Sequence, residues 1–323
     1  MSADLVAQFA EINSAETEDT FNAVRTHSLR NDFLGKALNG APVFLISDNG
    51  IPVYRPEIRH RHLRVSFGAS CRLTVERAQL VNQFVVVRFD SDAIELHEMF
   101  IRCVNAVMLP LPVSADTHEI EERVGRLLAL FRVLSMPSSR ELSGLWAELL
   151  CIRFSPRPAE ALAYWHSAIE EKYDFSWSGR CAEVKSTTSP YRVHEFASEQ
   201  LEPPPSGDGR VISIMLRPSN DGVGVVGLAR AIEATLDGDL QLREKLWSQV
   251  LSSLGAEFSS DLDRRFDVDF ALSHLAVFAM QDIPSLPENL DHRISAVRFR
   301  VDLSESATQA SLVGLAGLRS VFE

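Results

Sequence analysis

A mixed chain, α+β or α/β, in two parts is predicted: a β-rich N-terminal domain over residues 1–115 with a closing helix, and a domain of helices and strands over 116–323. Three observations predict it. Short strand-like runs separated by turn residues fill the first part. Helical spacing of apolar residues takes over from about Asp92. Farther on, three strand-like runs follow an apolar helix in quick succession, a pattern of mixed folds.

Taken in order, Ala3–Ile12 has amphipathic helical spacing. Ala41–Ser47 and Gly50–Tyr54 flank Asp48-Asn49-Gly50, a hairpin turn signal. Leu63–Phe67 and Ser70–Val75 flank Gly68-Ala69, and Gln83–Phe89 is a further strand. Ala93–Leu109 reads as a helix closed by Pro110 and Pro112, and His118–Val133 as a second, with Ile120, Val124, Leu127, Leu128 and Phe131 at helical spacing. Ser138 and Glu141 fit a capping box, so a third helix is expected to about Arg153. Ala159–Lys172 fits a short helix or an irregular segment. Strands are expected at Tyr173–Trp177, Cys181–Thr187 and Arg192–Phe196, then a short helix near Ala197–Leu201 and a Pro-rich loop over Glu202–Gly209. Val211–Leu216 reads as a buried strand, Val226–Leu236 and Leu240–Leu254 as helices. Asp267–Met280 leans to β, Ala296–Leu303 alternates as a strand, and the tail from Ser306 is helix-like.

The bulk numbers narrow the function classes. At 323 residues, 46% hydrophobic and 24% charged, the chain can build its cores without disulfides. No apolar run approaches the roughly 20 residues of a membrane helix, and the acidic start Met1-Ser2-Ala3-Asp4 lacks the charge pattern of a secretory signal, so a cytoplasmic protein is expected. Cys71, Cys103, Cys151 and Cys181 have no zinc spacing. A formal net charge of −12 argues that, if nucleic acid is bound, a partner protein supplies part of the grip.

One stretch carries chemistry. In Tyr173-Asp174-Phe175-Ser176-Trp177-Ser178-Gly179-Arg180-Cys181-Ala182-Glu183-Val184-Lys185, two strand-like runs flank Ser178-Gly179. A tight hairpin there sets Asp174 opposite Glu183. Like charges so placed repel, and a divalent cation would offset the repulsion. Lys185 shares a face with Glu183. Two carboxylates and an ammonium around one point suit phosphodiester hydrolysis, in which a metal polarises the phosphoryl oxygen and acidifies water while lysine neutralises developing charge. Glu148 adds a fourth group. It lies beside the stripe Leu142, Leu145, Leu149 and Ile152, one turn after Gly144.

These blocks resemble a bacterial family of PD-(D/E)XK motif proteins. The resemblance is carried by Gly144-Leu145-Trp146-Ala147-Glu148-Leu149-Leu150, Trp165, Asp174-Phe175, Glu183-Val184-Lys185-Ser186-Thr187-Thr188 and Ser198-Glu199-Gln200-Leu201, and is specific across Ser138–Leu201. The literal Pro-Asp is absent, since Tyr173 precedes Asp174. The resemblance implies a restriction-endonuclease-like core, a mixed central sheet flanked by helices. It implies Mg2+, replaceable by Mn2+, held by Asp174, Glu183, Glu148 and Val184. It implies catalysis by Glu148, Asp174, Glu183 and Lys185, with Gln200 in support. It further implies a DNA endonuclease of a restriction or phage-defence system, working with ATPase or methyltransferase partners. Two cuts in a duplex call for two active sites, so a homodimer is compatible with this role. The alternative is an inactive nuclease-fold module that binds nucleic acid or scaffolds a defence complex.

Plainer readings stand beside these. Glu-x-Lys on a strand is by itself a solvated face. Gly222-x-Gly224-x-x-Gly227 mimics a dinucleotide fingerprint but reads as a glycine loop, because no second βα unit follows. His60 and His62 read as a basic strand edge, Trp165 and Trp177 as core packing, and Arg180 as a turn residue. His166 and His194 lie near the motifs and could assist proton transfer, with a satisfied histidine as the default.

Overall fold

The computed structural model describes residues 4–51, 54–60, 62–90, 93–133, 141–166, 172–204, 208–254, 264–286, 293, 296–305 and 312–323. The chain has a mixed α/β architecture. It falls into two compact units, one of residues 1–139 with 247–259, the other of 140–246 with 260–323.

In the first unit, α1 (Leu5–Glu11) precedes β1 (Thr20–Arg25), β2 (Phe33–Lys36), β3 (Pro42–Ser47), β4 (Ile58–His60), β5 (Leu63–Val75) and β6 (Ala78–Phe89). Antiparallel pairing runs β1-β2-β3-β6-β5, and β5 then pairs in parallel with β1, Thr20 opposite Arg72 and Phe21 opposite Leu73. The five strands therefore close into a barrel, which removes their open edges. Alternation along the strands turns Phe21, Ala23, Phe33, Val43, Leu45, Cys71, Leu73, Phe84 and Val86 into one core. A helix α2 (His97–Met108) follows a short 3-10 turn at Ile94–Leu96, and its Phe100 meets Phe44, Phe89 and Phe131, the last on α3 (Thr117–Val133). Under β3 lies a buried ion pair. Arg30 Nε is 2.6 Å from Asp32 Oδ2, Arg30 also donates to the carbonyls of Pro112 and Ser47, and Asp32 Oδ1 accepts from Ser47 N and Oγ.

Two expected turns of this unit differ. Among the described residues, no strand follows Asp48-Asn49-Gly50 to form the expected hairpin; residues 52–53 of that expected strand lie outside them. Asp48 accepts from Gly50 N and from Thr117 Oγ1, and Asn49 N donates to Ala115 O, so the turn is tied to the start of α3. Gly68-Ala69 separates no strands either; it is a bulge inside β5, with Gly68 at φ 61°. Helix α3 lies in this first unit.

In the second unit come α4 (Leu142–Phe154), α5 (Pro158–Tyr164), β7 (Phe175–Trp177), β8 (Arg180–Thr187), β9 (Val193–Ala197), a 3-10 turn at Ser198–Leu201, β10 (Gly209–Met215) and β11 (Pro218–Val223). They are followed by α6 (Val225–Glu233), α7 (Leu240–Leu254), α8 (Val268–Ser273), β12 (Leu275–Ala279), β13 (Arg298–Asp302), β14 (Leu312–Val313) and α9 (Gly314–Val321). Residues of α7 from Trp247 on cluster with the first unit. The central sheet has the order β14-β12-β10-β8-β7. Within it β8 and β10 are parallel and the other neighbours antiparallel. The β9–β13 ribbon packs on one side, where Cys181, Val211, Ala276 and Phe278 of the sheet share a core with Phe196 and Val301. Helix α4 packs on β8 and against α5 and α6.

Helix α4 is buried nearly all round, from Leu145 through Ile152, rather than along one stripe. Its N-cap position is Glu141, with no side-chain cap bond, and Ser138 of the expected capping box lies outside the described residues. Asp267–Met280 departs from its β expectation. Asp267 accepts from Phe270 N and caps α8, and only Leu275–Ala279 is strand. The Gly222 motif is strand and helix joined at Gly224, the N-cap position of α6. A Cβ at Gly222 would overlap the Phe266 backbone, which explains that glycine without a phosphate.

Candidate active site

The β7–β8 hairpin fixes the first part of the site. Ser178 and Gly179 both have positive φ, 42° and 79°, the requirement of a type I′ turn. The resulting register is Trp177 with Arg180, Ser176 with Cys181 and Phe175 with Ala182. Asp174 stands one residue before β7, and its Oδ2 accepts from Val184 N at 2.7 Å. The aspartate is thus pinned to the backbone of the strand that carries Glu183 and Lys185.

Glu183 is 2% exposed. Its Oε1 lies 2.9 Å from Lys185 Nζ and accepts from Gln200 Nε2 at 2.5 Å. Gln200 Oε1 in turn accepts from Lys185 Nζ and from Ala197 N, each at 3.0 Å. The 3-10 turn after β9 therefore delivers a side chain that holds the strand glutamate and lysine together. Lys185 Nζ also sits over the Phe196 ring at 5.1 Å. Among the described residues, Glu183 Oε2 is buried with no hydrogen-bond partner. Burial, and next the Asp174 carboxylate, push the Glu183 pKa up to about 8, against the pull of Lys185.

The second part comes from α4 and the segment after α5. Trp165 pairs with Phe175 in an isolated bridge, and His166 N donates to Asp174 O at 2.9 Å. This backbone seam brings His166 beside Asp174. Trp165 Nε1 donates to Glu148 Oε2 at 2.7 Å, and His166 Nε2 is 3.3 Å from the same oxygen. Glu148, His166 and Asp174 each offer a ligand atom, all within 4.8 Å of one another. Lys245 Nζ donates to the carbonyls of Ala163 and Trp165 and so secures the end of α5.

The sequence candidates thus form two adjoining sets, Glu148 with Asp174 and Glu183 with Lys185 and Gln200, and the Asp174 carboxylate opposes ionisation of Glu183. Val184 takes part through its backbone N–H. Sequence reasoning underweighted two members. Trp165 is buried, as core packing requires, but it also holds the Glu148 carboxylate. His166 joins the carboxylate cluster, and its one sequence signal was its place just ahead of Asp174. Arg180 stays exposed at the hairpin.

The donor set fits a divalent cation. Glu148, His166 and Asp174 present two carboxylates and an imidazole within 4.8 Å of one another, and beside them Glu183, paired with Lys185, has among the described residues a buried oxygen without a partner. Such an oxygen is costly in the absence of a counter-charge.

His194 plays a different part. It is buried, its Nε2 is 2.7 Å from Ser213 Oγ, and Arg192 donates to Ser213 and to His274 O. Burial first, then Lys185 and Arg192, hold its pKa down to about 4. The unfolded chain takes up this proton near pH 6.5, so the stability contributed by neutral His194 is present above that pH and lost as pH falls toward 4. Replacement by Gln is expected to remove about 2–3 kcal/mol of acid destabilisation between those limits. Thermal unfolding of both proteins at several pH values checks this. Parallel stability profiles would contradict it.

Among the described residues no helix is long and apolar enough to cross a membrane, and all four cysteines are buried and free. A family model described as "Putative PD-(D/E)XK family member (DUF4420)" matches residues 8–304. No curated protein and no solved structure gives a significant match.

Proposed function

The chain belongs to this PD-(D/E)XK family, and on that premise we propose that it is a divalent-metal-dependent endonuclease that hydrolyses phosphodiester bonds in DNA. The second unit supplies a restriction-endonuclease-like core. The observation that carries the reading is the Glu183–Lys185–Gln200 knot beside Asp174, with Glu183 Oε2 buried and, among the described residues, unpartnered.

Asp174, Glu183 and Glu148 would hold the ion, which supplies positive charge at the phosphoryl oxygen and a more acidic water. Lys185 has its ammonium fixed by two oxygen acceptors, Glu183 Oε1 and Gln200 Oε1. It therefore needs no reorganisation to meet the negative charge that develops on the phosphate. Gln200 sets the distance between lysine and glutamate. The Phe196 ring lies 5.1 Å from the lysine ammonium and lowers the polarity around it, which strengthens its charge interactions.

The defence setting and the ATPase or methyltransferase partners rest on the family resemblance and on the net charge of −12, which favours a partner that supplies the basic DNA grip. That same charge favours the second reading, an inactive scaffold module. Plasmid cleavage with Mg2+ or Mn2+, alone and with the products of neighbouring genes, separates the two. The expected result is nicking or linearisation by the wild type and a drop of about 10²–10³-fold in Lys185→Ala. Equal rates for the two proteins would end the endonuclease reading.

A further inference from the structure

Building on the metal-dependent reading above, we infer that the ion site is tuned to a first-row divalent transition-metal ion over Mg2+, with His166 as the selecting ligand. The ligand atoms of Glu148, His166 and Asp174 lie within 4.8 Å of one another, so one ion can meet all three. Carboxylate oxygens suit Mg2+ and the transition ions alike. An imidazole nitrogen does not; it raises affinity along the series from Mn2+ toward Cu2+, whereas Mg2+ keeps to oxygen and water.

His166 is also held where it stands. Its N–H is bonded to Asp174 O at 2.9 Å, and its neighbour Trp165 bridges Phe175, so the backbone sets the ring against the aspartate without help from a ligand. Trp165 Nε1 and His166 Nε2 approach the same Glu148 oxygen, Oε2, and thereby orient that carboxylate. A second feature, in the adjoining set, points to a cation. Glu183, whose ionisation the Asp174 carboxylate opposes, keeps Oε2 buried and, among the described residues, without a partner, an arrangement that an added positive charge would relieve. A purely structural histidine would do no more than clamp Glu148. That role predicts equal weakening of every ion when His166 is removed, and the two accounts part on this point.

The test titrates the metal-free full chain with Co2+ and with Mg2+ by calorimetry, and records the visible absorption of the Co2+ form. His166→Ala and the more conservative His166→Gln are measured beside the wild type, each checked by thermal unfolding. The wild type is expected to prefer Co2+. In both variants Co2+ affinity is expected to fall about 10- to 100-fold and Mg2+ affinity by less than about threefold, with a shifted Co2+ spectrum. Equal losses for both ions, an unchanged spectrum, or no Co2+ binding by the wild type would overturn the assignment. An unchanged ion ratio with Lys185-dependent cleavage intact would sink the role of His166 alone. Co2+ held through His166 with no cleavage under any metal would sink the nuclease reading and leave the ion site standing.

Discussion

Glu183→Gln is expected to abolish metal-dependent cleavage and, in the same molecule, to make the metal-free protein more heat-stable at alkaline pH. The two effects share one cause. Glu183 is buried beside Asp174, which lifts its pKa from the ordinary 4.5 to about 8. The folded state therefore prefers the protonated acid. The stability this preference contributes is fully present below about pH 4.5 and is lost as pH rises through about 8. Glutamine keeps the shape and hydrogen bonds of the protonated form at every pH. In the presence of a chelator, unfolding curves should coincide near pH 5 and diverge above pH 8, the variant being more stable by roughly 1–3 kcal/mol. Loss of the anionic ligand should lower cleavage by about 10³-fold or more. A variant less stable than wild type at pH 8.5 would show that the carboxylate is comfortable as an anion without metal.

Asp32→Ala should produce the largest fall in stability. The Arg30 side chain is fully buried against Asp32 and the carbonyls of Pro112 and Ser47. Removing the aspartate leaves a desolvated guanidinium with no counter-charge and takes an acceptor from Ser47 N. Loss of one member of a buried pair costs about 3–5 kcal/mol. The double variant Arg30→Met, Asp32→Leu removes both charges, and should lie closer to wild type than the single variant does. Denaturant midpoints for the three proteins decide it. A double variant as unstable as Asp32→Ala would assign the loss to packing and to Ser47, not to the stranded charge.

Much of the candidate site was legible because its logic is local. Ser178-Gly179 can only turn tightly, the register follows by counting, and alternation then puts Glu183 and Lys185 on one face. Glu148 could be picked out because it lies beside the apolar stripe of its helix, one turn after Gly144. The role of Gln200 was reachable only through the resemblance, because it depends on how a 3-10 turn folds back over β8. His166 was harder still. Its place beside Asp174 follows from one backbone hydrogen bond and one isolated bridge, and no spacing in sequence encodes either. In the fold, failures came where one signal has two solutions. Asp48-Asn49-Gly50 satisfies its turn through Thr117 and Ala115, partners distant in sequence. Gly68 reads as a loop but serves as a bulge, and the apolar run after Asp267 hides a helix whose start is marked by that aspartate's cap.

The parallel seam between β1 and β5 has a consequence for how the chain can be made and cut. A ribosome that has released β1 through β3 has released only an open ribbon. The ring can shut only after β5 and β6 emerge, so the nascent chain must carry two sticky borders through that interval. Deleting β1 from an expressed fragment would leave the edges of β2 and β5 that it covers permanently bare, and such a fragment would self-associate through them.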